Sequence, residues 1–281
     1  MIVKTAETAG FCFGVERAVA MVEGLIGEGK TPLYTYGPII HNDQVIEDLA
    51  SRGVISVNSL KELEDKEPGY IVIRSHGVGK KKEKEMETAG LKVVDATCPF
   101  VKKIHRIVEK EGGEGRRIII TGDKKHAEVK AIMGWCPETP FVIECEEEIP
   151  DLPADTPLLL VSQTTFQLDK FKKIVEIINK SYYNVLVVNT ICDATQKRQQ
   201  EAKSLAVCSD AMIVIGGSQS SNTRKLAEIC EANCAKTYYI QTSNDLIEQG
   251  FKPVRALGIT AGASTPKKII EEVQNFVRSE F

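Results

Sequence analysis

The 281-residue chain contains no Cys-x-x-Cys pair, which excludes a zinc ribbon, a thioredoxin-type dithiol and a bacterial ferredoxin run. It has no apolar run approaching the roughly 20 residues that span a bilayer. Its opening residues, Met1 to Glu7, carry no apolar signal core, so secretion is not expected and a cytoplasmic location is. There is no Walker motif and no Gly-x-Gly-x-x-Gly. An excess of one charge is lacking too: 36 basic against 39 acidic residues leave a net charge of −3, without an electrostatic footprint for nucleic acid. Aromatic residues are few, at 6%, and Trp135, Tyr182-Tyr183 and Tyr238-Tyr239 read as packing residues rather than a stacking platform. What is present, 42% hydrophobic and 27% charged residues, is ordinary for a globular protein and excludes disorder, collagen and coiled coil. At ~100–200 residues per domain the length allows two or three domains.

Eight cysteines, at 12, 98, 136, 145, 192, 208, 230 and 234, read as thiols, metal ligands or catalysts rather than disulfides in a chain that is not exported. Three share a context. Cys12, Cys98 and Cys192 each follow a β-branched run and a small polar turn, and each precedes a helical stretch. After Cys12, residues Val15, Val19, Val22 and Ile26 fall at helical spacing. After Cys98, Pro99 suits a first helical position and Val101, Ile104 and Val108 continue the face. After Cys192 a long polar helix runs from Ala194 to Leu205. The three cysteines are spaced 86 and 94 residues apart, close to a third of the chain, which points to three similar domains.

Between the cysteines, strand-like runs recur in pairs and end in polar turns. Leu33 to Gly37 leads to His41-Asn42, and Tyr70 to Ile73 leads to Ser75-His76-Gly77. Ile118 to Gly122 leads to His126-Ala127-Glu128, and Leu158 to Val161 leads to Ser162 to Thr165. Met212 to Gly217 leads to Ser220-Ser221-Asn222, and Ala256 to Thr260 leads to Gly262-Ala263-Ser264. The third repeat lacks a closing strand, which Ile2 to Cys12 could supply. Strands without alternation, separated by helical stretches, read as a parallel α/β fold that binds ligands at the carboxyl ends of its strands. The expected architecture is three similar small α/β domains with mostly parallel sheets, arranged pseudo-threefold about a centre that the three cysteines face. The expected boundaries are 13–97, 98–191, and 192–270 completed by 1–12, with 271–281 as a C-terminal helix or tail.

Thiolates at helix N-termini are good soft ligands. Structural zinc and ordinary 4Fe–4S sites take four protein ligands, so three leave one metal position open, as in a catalytic site. The remaining cysteines lack this context, and Cys230 and Cys234 read as core. Three of the four histidines, His41, His76 and His126, fall in the polar turns. With serine, threonine and asparagine donors and turn amides they make an anion site. Glu128 is a candidate proton donor, with a salt-bridged surface residue as the alternative. His105 is expected on the surface or on a helix face, Lys80 to Lys84 on a solvated helix face, and Glu144 to Glu148 in an acidic surface run.

Together these residues resemble the 4-hydroxy-3-methylbut-2-enyl diphosphate reductase family. The resemblance runs from Thr8 to Pro266 through Ala9 to Val15, Gly37 to Asn42, Arg74 to Val78, Asp95 to Pro99, Ser162 to Thr165, Thr190 to Thr195, Gly216 to Asn222 and Thr260 to Pro266. One departure is His126-Ala127-Glu128, where the family usually reads His-Pro-Glu, which puts the stiffness of that turn in question.

The resemblance implies a central 4Fe–4S cluster held by Cys12, Cys98 and Cys192, with an open fourth iron. It implies that His41, His76, His126, Ser220, Ser221, Asn222 and Ser264 cradle the diphosphate, and that Glu128, linked through Thr164, supplies a proton at the hydroxyl end. The implied reaction is reductive dehydroxylation of the allylic diphosphate to isopentenyl and dimethylallyl diphosphate, the last step of the non-mevalonate pathway. An external one-electron donor, a ferredoxin or a flavodoxin with its NADPH-dependent reductase, is implied, with no nucleic-acid or membrane partner and a monomeric state. The rivals are a quinolinate synthase-like dehydratase, which needs no reductant, and an iron–sulfur sensor or electron carrier, which needs no anion site.

Overall fold

The computed structural model describes residues 1–280. In chain order the elements are β1 (Ile2–Thr5), α1 (Phe13–Gly27), β2 (Leu33–Tyr36), α2 (Asp43–Ser51), β3 (Val54–Val57), β4 (Tyr70–Ile73), α3 (Lys80–Thr88), β5 (Lys92–Asp95), α4 (Pro99–Gly113), β6 (Arg117–Thr121), α5 (Ala127–Met133), β7 (Phe141–Ile143), β8 (Leu158–Ser162), α6 (Leu168–Ser181), β9 (Val185–Val187), α7 (Asp193–Val207), β10 (Ala211–Ile215), α8 (Ser221–Glu231), β11 (Thr237–Ile240), α9 (Ser243–Glu248), β12 (Ala256–Ala261) and α10 (Lys267–Glu280). No helix among the described residues is long and apolar enough to cross a membrane.

The strands form three four-stranded sheets, ordered β3-β2-β4-β5, β7-β6-β8-β9 and β11-β10-β12-β1, and every pairing is parallel. The topology is the same in each. The first strand lies inside, the second at its edge, the third on its other side and the fourth at the far edge. In the last sheet the fourth position is taken by β1, whose residues Ile2 to Thr5 run in register with Ala256 to Ile259. The N-terminal strand therefore completes a sheet begun about 200 residues later.

The cores explain why these strands show no alternation. Along β10, Ala211, Ile213 and Ile215 face Ile269, Ile270, Val273 and Val277 of α10. Met212 and Val214 face Ala202, Leu205 and Ala206 of α7 and Leu226 and Ala227 of α8. In the second sheet Leu158 and Leu160 meet Phe171, Ile174 and Ile178 of α6, whereas Leu159 and Val161 meet Ile104 and Val108 of α4 and Val129 and Ile132 of α5. A strand covered on both faces needs apolar side chains at every position, each contributing ~1.5–3 kcal/mol on burial. In the first sheet Tyr34, Ile71 and Ile73 pack on Met86 of α3.

The chain divides into two compact units. The smaller comprises Met1–Glu16, His41–Val45 and residues 193–280, and the larger comprises Arg17–Ile40 and Ile46–Cys192. The larger contains the first two sheets and the smaller the third.

Candidate active site

The candidate residues sit beyond the carboxyl ends of strands, on the turn or in the first turn of the helix that follows, and the position of that strand sorts them by type. His41, His126 and Ser220 follow the first strands, β2, β6 and β10. His76, Thr164 and Ser264 follow the third strands, β4, β8 and β12. Cys98, Cys192 and Cys12 follow the edge strands, β5, β9 and β1. The crevice between first and third strands of such a sheet is where α/β folds bind ligands.

One backbone hydrogen bond recurs in all three repeats. The N–H of Cys98 donates to Ser75 O at 2.9 Å, that of Cys192 to Thr164 O at 3.1 Å, and that of Cys12 to Ala263 O at 3.2 Å. Each cysteine turn is thus tied to the neighbouring turn that carries His76, Thr164 or Ser264. The three cysteines are half-buried and each immediately precedes a helix. By contrast, burial pushes the thiols of Cys136 and Cys230 up to about 12, and Cys230 and Cys234 belong to the core around α8.

In the larger unit, Glu128 is 2% exposed, so the surface ion pair offered as its alternative does not form. Its Oε1 accepts from the Thr164 N–H at 2.6 Å and its Oε2 from the Thr164 hydroxyl at 2.7 Å. Burial pushes the carboxyl up to about 6, against the downward pull of these two bonds. His126 caps α5: its Nδ1 accepts from the Glu128 N–H at 3.2 Å. That acceptor role places the ring hydrogen on Nε2, which makes Nε2 a donor. The His76 and His126 rings meet edge to face, with centroids 5.1 Å apart. The turn therefore forms with alanine at 127, and His126, Glu128, Thr164 and His76 come together.

His105 lies on a face of α4, the second of its two expected places, and that face is buried. His105 is only 4% exposed and stacks on Trp135, with ring centroids 5.2 Å apart. Burial pushes its imidazole down to about 4, so the ring is neutral. A Cβ on Gly77 would lie 2.8 Å from His105 Cε1, so the ring fills the space a side chain beside His76 would need. The Trp135 indole N–H donates to Val78 O at 2.8 Å, closing the same layer. Another supporting residue, Arg17, had no sequence signal. Its guanidinium donates to Thr97 O at 3.2 Å and to Asp95 O at 3.4 Å, holding the turn that leads to Cys98.

In the smaller unit, Ser220 caps α8 by accepting from the Thr223 N–H at 3.3 Å. Ser220, Ser221 and Asn222 are all buried, and Asn222 Nδ2 has no hydrogen-bond partner among the described residues. The Ser264 hydroxyl donates to His41 O at 3.0 Å. A Cβ on Gly217 would lie 2.7 Å from the same carbonyl, so only glycine lets the α8 turn approach it. A helix N-terminus with buried hydroxyls and an unsatisfied amide donor offers donors that an anion could accept from.

A family model described as LytB protein matches residues 3–278. The chain is 44% identical to the 4-hydroxy-3-methylbut-2-enyl diphosphate reductase of Caldanaerobacter subterraneus subsp. tengcongensis, over 99% of this chain and 97% of that one. It is 41% identical to the protein of the same name from Clostridioides difficile, over 99% of this chain and 100% of that one. The solved structure of the Plasmodium falciparum E-1-hydroxy-2-methyl-but-2-enyl-4-diphosphate reductase superposes with a TM-score of 0.91 at 30% identity, covering 99% of this chain and 87% of that one. A structure of (E)-4-hydroxy-3-methyl-but-2-enyl diphosphate reductase, described as the terminal enzyme of the non-mevalonate pathway, superposes with a TM-score of 0.71 at 40% identity over 99% of both chains. The motif resemblance and these matches agree along nearly the whole length: the chain belongs to the LytB protein family.

Proposed function

We propose that this chain is an iron–sulfur reductase that converts (E)-4-hydroxy-3-methylbut-2-enyl diphosphate to isopentenyl and dimethylallyl diphosphate. The observation that carries the reading is the buried carboxyl of Glu128, held by both donors of Thr164 and poised near pH 6. In the reaction an allylic C–O bond breaks, the oxygen leaves as water, and two electrons and two protons are taken up. A proton delivered to the hydroxyl makes water the leaving group. With a carboxyl pKa of about 6, roughly a tenth of the Glu128 population is protonated at pH 7, against a fraction of a percent at an ordinary value. The second proton joins the allyl fragment at one of two carbons, which accounts for two products.

The donor set fits the cluster expected of the family. Cys12, Cys98 and Cys192 are half-buried soft ligands in equivalent turns, and their number is three rather than four. We assign them as the ligands of a 4Fe–4S cluster. When bound, such a cluster supplies electrons one at a time and a Lewis-acid iron that no cysteine occupies. His41, His76, His126, Ser220, Ser221, Asn222 and Ser264 are assigned to the diphosphate. The buried Asn222 Nδ2 and the donor Nε2 of His126 support that role. Boundaries at 13–97, 98–191 and 192–270 with 1–12, a cytoplasmic monomer and a ferredoxin- or flavodoxin-type electron donor complete the proposal.

The test is Glu128→Gln in anaerobically prepared protein. Iron content and substrate binding should match the parent, while reductant-driven turnover should fall by about 10²-fold or more. Turnover within a few-fold of the parent would remove Glu128 from the proton path.

A further inference from the structure

Helix α7 begins one residue after Cys192 and is polar in sequence, yet one of its faces is buried. Thr195, Arg198 and Gln199 are buried along with Ala202, Leu205 and Ala206. Arg198 is 3% exposed. Its Nε donates to Thr8 O at 2.9 Å, and its Nη2 donates to Thr8 O at 2.6 Å and to Gly10 O at 2.7 Å. Three residues on, and so on the same face of the helix, Glu201 accepts from the N–H of Glu7 at 2.7 Å and of Thr8 at 2.9 Å, and from the Thr8 hydroxyl. One helix thus grips both the carbonyls and the amides of the turn at residues 7–10, all within the smaller unit. Two residues further along the chain is Cys12, whose own N–H is held by Ala263 O.

This grip is heavy for a plain loop. A buried guanidinium is expensive to desolvate unless its donors are filled, and a turn of this size could be satisfied by water. A planar fork serving two carbonyls fixes position in a way that a point charge cannot. We propose that Arg198 and Glu201 are positioning residues that set the Cys12 thiol for metal binding. This rests on the reading of Cys12 as a cluster ligand. Partners that orient a metal ligand from behind typically change metal retention by about 10- to 100-fold when altered.

The experiment compares the iron-loaded chain with its Arg198→Lys and Glu201→Gln variants, all reconstituted anaerobically. Lysine keeps the charge but not the planar fork that spans both carbonyls, and glutamine keeps the shape but not the paired acceptors. The readouts are the rate of iron release to a chelator, the electron paramagnetic resonance spectrum of the reduced protein, and the melting temperature. The expected result is iron release faster by about tenfold or more, with an altered spectrum, in both variants, while the Lys variant melts within a few degrees of the parent. Parent-like release and spectrum in a folded Lys or Gln variant would overturn the positioning role alone. A parent chain that takes up no iron would overturn the cluster reading beneath it.

Discussion

Replacing Thr164 by valine isolates the proton chemistry at Glu128. The side-chain volume is kept, the hydroxyl at 2.7 Å from Oε2 is lost, and the backbone N–H at 2.6 Å from Oε1 remains. A hydrogen bond to a charged group contributes about 1.5–3 kcal/mol and one to a neutral group about 0.5–1.5 kcal/mol, so the change falls mainly on the ionised form. The Glu128 carboxyl, already pushed up to about 6 by burial, should rise by roughly one further pH unit. Its folded value lies above its ordinary 4.5, so between those values the native chain binds a proton that the unfolded chain does not. Stability therefore falls with rising pH across that window, by about 2 kcal/mol in total. In Thr164→Val the window extends towards pH 7, so the variant should lose about 1.4 kcal/mol more at pH 8 than at pH 5. Urea denaturation at the two pH values measures this directly. In turnover the alkaline limb, where Glu128 gives up its proton, should move up by about one unit. A destabilisation independent of pH together with an unmoved alkaline limb would refute the reasoning.

Two further outcomes follow from buried groups. His105, pushed down to about 4 by burial, must charge on acid unfolding, so stability is lost as pH falls below 6.5, by about 2–3 kcal/mol at pH 4.5. In His105→Gln, denaturation curves across that range should flatten by this amount, and an unchanged acid slope would contradict the burial argument. In Asn222→Leu, the loss of the buried Nδ2 donor should weaken binding of inorganic diphosphate by about tenfold in calorimetry with no loss of stability, and an unchanged affinity would place the anion elsewhere.

Much of this was legible because parallel sheets write themselves plainly. The runs Ile118 to Thr121 and Met212 to Ile215 are apolar at every position, and both faces of each strand are covered. The polar turns could be grouped because each ends a strand, and each carries a residue type that also caps a helix, as His126 and Ser220 do. The place of β1 was legible too: the third repeat lacks a closing strand, the N-terminal run Ile2 to Cys12 is the free segment of the right kind, and β1 takes that position beside β12.

The sequence left His105 between the surface and a helix face, and the signal that decides for a buried face was there. Residues 101, 104, 105 and 108 follow the helical period, so 105 lies on the apolar face of α4 whatever its chemistry. Arg198 and Glu201 were invisible for a different reason. Their partners are backbone atoms and one hydroxyl about 190 residues away, and a helix that buries polar groups against a turn has no apolar period to reveal it.

The measurement that bears most directly on the account is an anaerobic assay of the iron-loaded chain with (E)-4-hydroxy-3-methylbut-2-enyl diphosphate and a quantified one-electron reductant. The account predicts that isopentenyl and dimethylallyl diphosphate appear, with two reducing equivalents consumed for each molecule of substrate. Conversion without consumption of reductant, or no conversion by protein that carries its full complement of iron, would contradict it.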